Sequence, residues 1–316
     1  MSQTLNQRFL DKLTASLNLN EESKLAFETV LKNGTVKSTE SIISFIPKDK
    51  LPFQTRDKAR WEPEFIFHPE TTAKLGNFLE YIAGGYYVLD NSSVFAASIL
   101  KEVIPSVKER IQQKEKFKIL DLCSAPGGKA IFCYAQFKEY FAECELTCNE
   151  VIGKRIPALL SNLKRCSVPF KVVHQKDTDV LASNYQEYFD LIIVDAPCSG
   201  QSLLAKGQDS PGCLNPRVIE TNQKRQRRIL SNANSMLKPG GFIGYMTCTF
   251  SLEENEKNVE WLLSKNKELT TIIIPHLENL FRSPYTINYT YRIWPQGPLE
   301  ERGAGAFTTL IKKHVL

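Results

Sequence analysis

Two cysteines stand where a thiol could act as a nucleophile. Asp195-Ala196-Pro197-Cys198-Ser199-Gly200 and Thr247-Cys248-Thr249-Phe250-Ser251 each follow a short apolar run that reads as a β-strand. A thiolate is a strong, polarizable nucleophile near neutral pH. Chemistry on a pyrimidine gives a use for two thiols and one acid. Carbon 5 of cytosine is too electron-poor to attack a methyl sulfonium, but a thiolate adding to carbon 6 makes carbon 5 carbanion-like. An acid at N3 stabilises the adduct. After methyl transfer the proton on carbon 5 must leave before the thiol is expelled, so one cysteine attacks and another group assists release. Cys198, Cys248 and Asp195 supply such a set, and the residues alone leave open which thiol attacks.

A second constellation reads as a cofactor site. Asp121-Leu122-Cys123-Ser124-Ala125-Pro126-Gly127-Gly128-Lys129 falls where a strand ends and a helix begins. Glycines there allow close backbone approach to a ligand, and a helix start offers free amides. The pattern is neither G-x-G-x-x-G nor a P-loop ending in Gly-Lys-Ser/Thr. A nucleotide lacking phosphates fits it better than NAD or ATP. Glu150 ends the second strand, where a carboxylate can accept from ribose hydroxyls. Asp177 follows the third and could receive an adenine amino group. Asp195 ends the fourth. Arg155 starts a helix and reads equally as a surface charge.

These positions need a sheet to hold them. Strands are expected over 119–123, 145–149, 171–174, 191–195, 242–247, 270–274 and 307–311, with helices over 130–137, 154–165, 220–237 and 254–263. Such alternation predicts an α/β fold, a mostly parallel sheet covered by helices on both faces, with its ligand at the carboxyl ends of the strands. No good helix separates the last two strands, which are expected as an antiparallel edge pair. Residues 1 to about 45 carry helical stripes. Prolines at 47, 52, 63 and 69 predict a loop-rich connection, and 92–111 a helix bent at Pro105.

The 316 residues carry 42% hydrophobic and 24% charged side chains, an ordinary globular balance that excludes disordered and fibrous classes. Net charge +5 permits a polyanionic partner without demanding one. No apolar run approaches the roughly 20 residues that span a bilayer. The acidic Asp11, Glu21 and Glu22 argue against a transit peptide, so the chain reads as cytoplasmic. Its eight cysteines then read as thiols. There is no Cys-x-x-Cys pair, and no metal is expected.

The motifs resemble those of the RNA cytosine-5 methyltransferases of the Sun and nucleolar-protein type over about residues 60 to 316. Residues 121–129 resemble that family's cofactor loop, Asp195-Ala-Pro-Cys198-Ser its fourth motif, and Met246-Thr-Cys248-Thr with Glu253-Glu254-Asn255-Glu256 its sixth. Lys238-Pro-Gly-Gly241, Gln226 with Ile229-Leu230, and residues 86–93 also match. The resemblance implies a Rossmann-like class I methyltransferase sheet of seven strands behind a small N-terminal helical region. It implies S-adenosylmethionine as cofactor, Cys248 as nucleophile, Cys198 as the group that assists release and Asp195 as a contact to the base. Gly127, Gly128, Lys129, Glu150, Arg155 and Asp177 would hold the cofactor, with Cys123, Ser124, Ala125, Pro126 and Asp195 beside it. The family usually has Ala at Ser124 and Asp at Glu150, often has Gln at Leu89, and differs over loop 201–216.

An accessory, RNA-binding region over 1–84 and a catalytic domain over 85–316 are therefore expected, in a monomer acting on ribosomal or transfer RNA. Lys224, Arg225, Arg227 and Arg228 form a basic run that reads equally as a solvated face or a phosphate contact. Arg56, Lys58, Arg60 and Trp61 suit backbone-plus-stacking contact, though Trp61 reads equally as packing. Two other readings stay open. A DNA cytosine-5 methyltransferase would attack with Cys198 and leave Cys248 unneeded. A non-catalytic RNA-binding protein could keep the fold, but no thiol is lost and the cofactor loop is intact. The Asn/Asp-Pro-Pro-aromatic signature of amino-group methylation is absent.

Overall fold

The computed structural model describes residues 6–36, 40–295 and 303–315. Helices α1 (Gln7–Ser16) and α2 (Glu21–Asn33) open the chain, each with an Asn side chain, Asn6 or Asn20, accepting from its first turn. Helix α2 stops at Gly34, whose φ of 59° is the left-handed conformation glycine adopts without a Cβ penalty.

A four-stranded antiparallel sheet follows, where helix and then loop were expected. Strands β1 (Glu40–Ser44), β2 (Gln54–Arg56), β3 (Ile66–Glu70) and β4 (Tyr86–Asp90) lie in the order β2-β3-β1-β4, with the short helix α3 (Leu79–Ile82) before the last. The prolines do not break it. Pro69 lies beyond the β1–β3 pairing of Ile42 with Phe67 and Ile43 with Ile66, so its missing N–H leaves that ladder intact. Trp61 is buried edge-on against Phe95 and Phe281, which makes it packing and not a platform for bases.

The expected bent helix is two helices. Helix α4 (Asn91–Ser98) passes through a 3₁₀ stretch, Ile99–Val103, into α5 (Ile104–Gln112), with Pro105 in the first turn of α5. The Rossmann-like region then runs β5 (Phe117–Asp121), α6 (Gly128–Gln136), β6 (Cys144–Asn149), α7 (Ile156–Arg165), β7 (Val172–His174), α8 (Thr178–Asn184), β8 (Phe189–Asp195), α9 (Ser202–Ala205), α10 (Pro216–Met236), β9 (Leu237–Thr247), α11 (Glu256–Lys265), β10 (Leu269–Thr271), α12 (Pro275–Phe281), β11 (Tyr291–Ile293) and β12 (Ala306–Lys313). The sheet order is β10-β12-β9-β8-β5-β6-β7, with β11 paired to β12. Strands β5 to β9 pair in parallel, while β12 is antiparallel to both β9 and β10.

All seven expected strands form, and the short β11 is an eighth. The last two of the seven do pair antiparallel, but β12 inserts between β9 and β10, so only β10 is an edge. A helix, α12, does separate them; Ile274 caps it, which ends β10 at Thr271.

Three cores fix the positions of the loops. Phe95, Leu100, Ile119 and Ile131 pack on one face of the large sheet, and Ile192, Val194, Leu230 and Leu262 on the other. In the third, Leu10, Leu13, Phe27 and Leu31 of α1 and α2 pack on Leu204, Leu214 and Phe250, in the loops that follow β8 and β9. Chain order reverses at β5, between β6 and β8, so the loops after β5, β6, β8 and β9 share one rim.

Candidate active site

Strands β8 and β9 are neighbours in parallel register, with Asp195 opposite Met246. Their following loops therefore run side by side. Cys198 Sγ lies 3.2 Å from Cys248 Sγ, and the Cys248 amide donates to Cys198 Sγ at 3.4 Å. Ser199 Oγ is 2.8 Å from Thr249 Oγ1. Buried Glu254 ties the two loops from below. It accepts from the Ser199 amide at 2.9 Å, from the Ser199 hydroxyl at 2.5 Å and from Gln226 Nε2 at 3.0 Å. Gln226 also donates to the Pro197 carbonyl at 3.0 Å. Asn255 accepts from the Thr247 hydroxyl at 2.6 Å and donates to the Thr249 carbonyl at 2.9 Å.

The thiols are not equivalent. Cys248 is exposed to the cavity, and the Cys198 S–H beside it holds its thiol below the ordinary value, against burial and the Asp195 carboxylate, which push it up. The same hydrogen bond, and then burial, push Cys198 well above the ordinary value. Burial raises Cys123, Cys133, Cys144, Cys148, Cys166 and Cys213. One of the eight cysteines is thus lowered, and it has a protonated thiol in contact.

Asp195 meets Lys129 Nζ at 3.0 Å. The lysine therefore leaves the glycine loop that carries it and joins the thiol site. A cavity of about 200 Å³ opens over Cys248, with Lys129 and Asp195 on one wall. Asp90, Ser92 and Ser93 from the start of α4 and Ser202 and Lys206 from the loop after β8 complete it, and Lys206 Nζ pairs with Asp90 Oδ2 at 3.0 Å. Ser202, Lys206 and Glu254 were not picked out from the sequence by their own chemistry. They are single polar residues without periodicity, and only the pairing of β8 with β9 gives them a place.

The glycine loop folds back at the end of β5. The Ser124 hydroxyl donates to buried Asp121 Oδ2 at 2.9 Å, and the Ser124 amide donates to the Asn149 carbonyl. Burial pushes the Asp121 carboxyl up to about 7, against that hydrogen bond. Gly127 has φ of 108°, a conformation closed to other residues, and it hands directly into α6. Cys123, Ala125 and Pro126 lie in the same turn.

Glu150 is buried and accepts from the Ile152 amide at 2.9 Å. Its other oxygen receives the Arg155 charge at 3.0 Å but no aligned hydrogen bond. Arg155 also donates to the Ala125 carbonyl, so it links Glu150 to the glycine loop. A buried carboxylate oxygen with spare acceptor capacity beside a positive-φ glycine turn suits a ribose diol. Asp177 is engaged otherwise: it caps α8 through the Asp179 amide at 3.0 Å and pairs with Arg228 at 2.7 Å.

The basic run on α10 is similarly occupied. Lys224 pairs with Glu220, Arg225 meets Asn222, and Arg227 donates to Asn258 and lies over the Trp261 ring.

The profile of the 16S rRNA methyltransferase RsmB/F family matches residues 109–309. The chain belongs to this family. The matched stretch takes in β5 to β11 and the first half of β12, and with them both thiols, Asp195, Lys129 and Glu150. Two similar proteins are named ribosomal RNA small subunit methyltransferase F. The one from Pectobacterium carotovorum is 31% identical over 61% of this chain and 37% of its own length. The one from Aliivibrio fischeri is 32% identical over 66% of this chain and 41% of its own. The chain thus spans well under half the length of these relatives. The fold of the whole chain is shared with a methyltransferase homolog from Pyrococcus horikoshii, at TM-score 0.70 and 20% identity over 98% of this chain and all of that one. Among the described residues no helix is long and apolar enough to cross a membrane, and no group of three or more His, Cys, Asp or Glu is placed to hold a metal ion.

Proposed function

We propose that this RsmB/F family member is an S-adenosylmethionine-dependent RNA methyltransferase that forms 5-methylcytosine, with Cys248 as nucleophile. The observation that carries the reading is the 3.2 Å thiol pair at the ends of β8 and β9, in which Cys248 is the member exposed to the cavity. S-adenosylmethionine, when bound, supplies an electrophilic methyl group. Gly127, Gly128 and the Ser124 turn, with Glu150 positioned by Arg155, are the residues that would hold it.

The remaining work falls to the chain's own groups. The Cys248 thiolate adds to carbon 6 of the target cytosine, and the Lys129–Asp195 pair passes a proton to N3 as negative charge develops there and takes it back at elimination. Once the Cys248 sulfur is bonded to carbon it carries no negative charge. The chief cause raising Cys198 is then gone, and that thiol becomes easier to ionise. Cys198 gives its own proton to solvent and, as the thiolate, takes the proton from carbon 5. Elimination breaks the carbon–sulfur bond and returns Cys248 as a thiolate, beside a reprotonated Cys198. The cytosine leaves its stack to reach the cavity. Attack by Cys198, as in the DNA enzymes, would use the less acidic thiol.

By likeness to the names of its relatives, the RNA is small-subunit ribosomal RNA; that a cytoplasmic monomer meets it remains the reading of the sequence. Residues 6–84 and the catalytic rim give it a surface that includes the exposed Arg56 and Arg60. RNA carrying 5-fluorocytosine tests the nucleophile. Wild type forms a stable covalent complex, and Cys248→Ala forms none. A complex that persists in Cys248→Ala and vanishes in Cys198→Ala reverses the two roles. Bisulfite sequencing of total RNA with and without the gene then identifies the cytosine.

A further inference from the structure

Each thiol loop is held against the other. Gln226 and Glu254 fix the first at the Pro197 carbonyl and the Ser199 amide. The second is fixed at the Cys248 carbonyl, which accepts from the Ser202 amide at 3.1 Å, and at the Phe250 amide, which donates to fully buried Gln201 at 2.9 Å. The Cys248 amide itself donates to Cys198 Sγ. The sulfurs so held stand 3.2 Å apart, and a sulfur–sulfur bond is about 2.0 Å long. Rotation of two side chains has only that gap to close. Cys248 is also the one exposed cysteine of the eight, and it opens on a cavity of about 200 Å³, ample for a peroxide.

We propose that the Cys198–Cys248 pair is a redox switch: a hydroperoxide converts it to a disulfide that closes the site, and a dithiol reopens it. Formation of the bond rests on the sulfur contact; its effect on methylation rests on the reading of Cys248 as nucleophile. The Cys248 thiolate attacks one peroxide oxygen, the O–O bond breaks, and a sulfenic acid forms as hydroxide or alkoxide leaves. The Cys198 sulfur then attacks the Cys248 sulfur. The sulfenic oxygen leaves and, with the Cys198 proton, departs as water. Each sulfur has lost one electron, and the peroxide has been reduced to water, or to water and an alcohol. The site suits both steps. Cys248 is the thiol held below its ordinary value, which favours the first attack. Cys198 is raised chiefly by its hydrogen bond to Cys248, and that cause ends once the Cys248 sulfur is bonded to oxygen. A sulfenic acid left alone is oxidised further to a sulfinic acid, which dithiols do not reverse. With Cys198 in contact the disulfide forms first, so the pair protects the nucleophile while silencing it.

The test treats the reduced full chain, without RNA or cofactor, with a small molar excess of hydrogen peroxide. Remaining thiols are blocked with N-ethylmaleimide before unfolding, and the chain is digested without reductant for mass spectrometry. Two of the eight thiols should be lost, and the peptides of Cys198 and Cys248 should appear joined. Dithiothreitol should restore both thiols. Formation of the covalent complex with 5-fluorocytosine RNA should vanish as the joined peptide appears and return with dithiothreitol. In Cys198→Ser no joined peptide should form, and Cys248 should accumulate as a sulfinic acid that dithiothreitol leaves unchanged. A wild-type chain whose Cys248 becomes sulfinic with no joined peptide overturns the proposal, whether or not the variant folds. So does a Cys198→Ser chain whose Cys248 is still fully restored by dithiothreitol. The joined peptide is read without turnover, so the two readings fail separately. If the fully reduced wild type traps no fluorocytosine RNA, the nucleophile reading falls and the peptide map still decides whether the disulfide forms.

Discussion

The sulfurs of Cys198 and Cys248 stand 3.2 Å apart although fifty positions separate the residues in the chain. Their closeness follows from the sheet. Parallel pairing of β8 with β9 sets Asp195 opposite Met246, and the Glu254 carboxylate then holds the first loop against the second. Each thiol changes the other's acidity in the opposite direction.

That reciprocity predicts a paradox for Cys198→Ala. With the Cys198 donor gone, Cys248 becomes less acidic, so its alkylation at pH 7 slows by about tenfold, the scale of one charge-assisted hydrogen bond. On the proposed mechanism the same variant lacks the group that assists release, so a covalent complex with ordinary cytosine RNA should accumulate on denaturing gels, formed more slowly but seldom resolved. Faster alkylation of Cys248 in the variant would mean that Cys198 is not its donor.

Much of this arrangement was legible in the sequence because parallel strands are buried on both faces. Phe189–Asp195 is apolar at five of its seven positions and buried throughout except at its last residue, Asp195. The N-terminal sheet was not legible. Its β2 is three residues, Gln54–Arg56, with no apolar side chain, and its β3 contains a proline. What makes them strands is pairing, β2 with β3 and β3 with the distant β1, which leaves no local period to read. The site divides in the same way. Cysteines announce themselves by type, whereas Glu254 acts through an amide 55 residues away and Ser202 through its own amide on the Cys248 carbonyl of another loop. Asp177 looked free from its place after a strand, but a helix cap and Arg228 use its carboxylate.

Asp121 should leave a mark on stability against pH. Its folded value is raised from 3.8 to about 7 by burial, so the native state holds a proton that the unfolded chain has lost. For a raised group the stabilising contribution is full below the unfolded value and is lost as pH rises through the folded one. Between pH 6 and 8 this site alone should cost about 1.4 kcal/mol as the proton leaves. Asp121→Asn cannot titrate. Urea unfolding at both pH values should therefore show wild type losing about that much more than the variant on going from pH 6 to 8. Equal losses would mean that Asp121 is already ionised at pH 6.

The loop after Cys248 is also held from behind by a buried ion pair. Arg292 and Glu256 are each 2% exposed; Arg292 Nε donates to Glu256 Oε1 at 2.5 Å, and Arg292 Nη1 donates to the Phe250 carbonyl at 3.0 Å. Removing one partner strands a charge in the interior, so Arg292→Met should cost about 3–5 kcal/mol in urea unfolding. Replacing both, as Arg292→Met with Glu256→Leu, removes the stranded charge and should recover most of that loss. A double variant no more stable than the single one would show that the Phe250 contact, and not the pair, carries the cost.

The sharpest structural test lies where α2 meets the active-site loop. Gly34 has φ of 59°, and a Cβ there would fall 2.2 Å from the Gly207 Cα. Two backbones touch at this point, next to the Val36–Ala205 hydrogen bond and one turn from Ser202. The buried face of α1 and α2 is spent on that loop and on Phe250, so the helical hairpin works as a brace for the wall of the cavity. Gly34→Ala must force the brace away from the wall. Gly240→Ala is the control, because φ there is 81° but nothing lies within 4 Å of the added carbon. The control should pay only the left-handed penalty of about 1–2 kcal/mol and keep normal Cys248 alkylation. Gly34→Ala should pay that penalty plus overpacking of about 1–3 kcal/mol, and should also change the rate of Cys248 alkylation, because the segment whose Ser202 amide holds the Cys248 carbonyl moves with the loop. If the two variants lose equal stability, the Gly34–Gly207 contact is not tight and the hairpin does not brace the site.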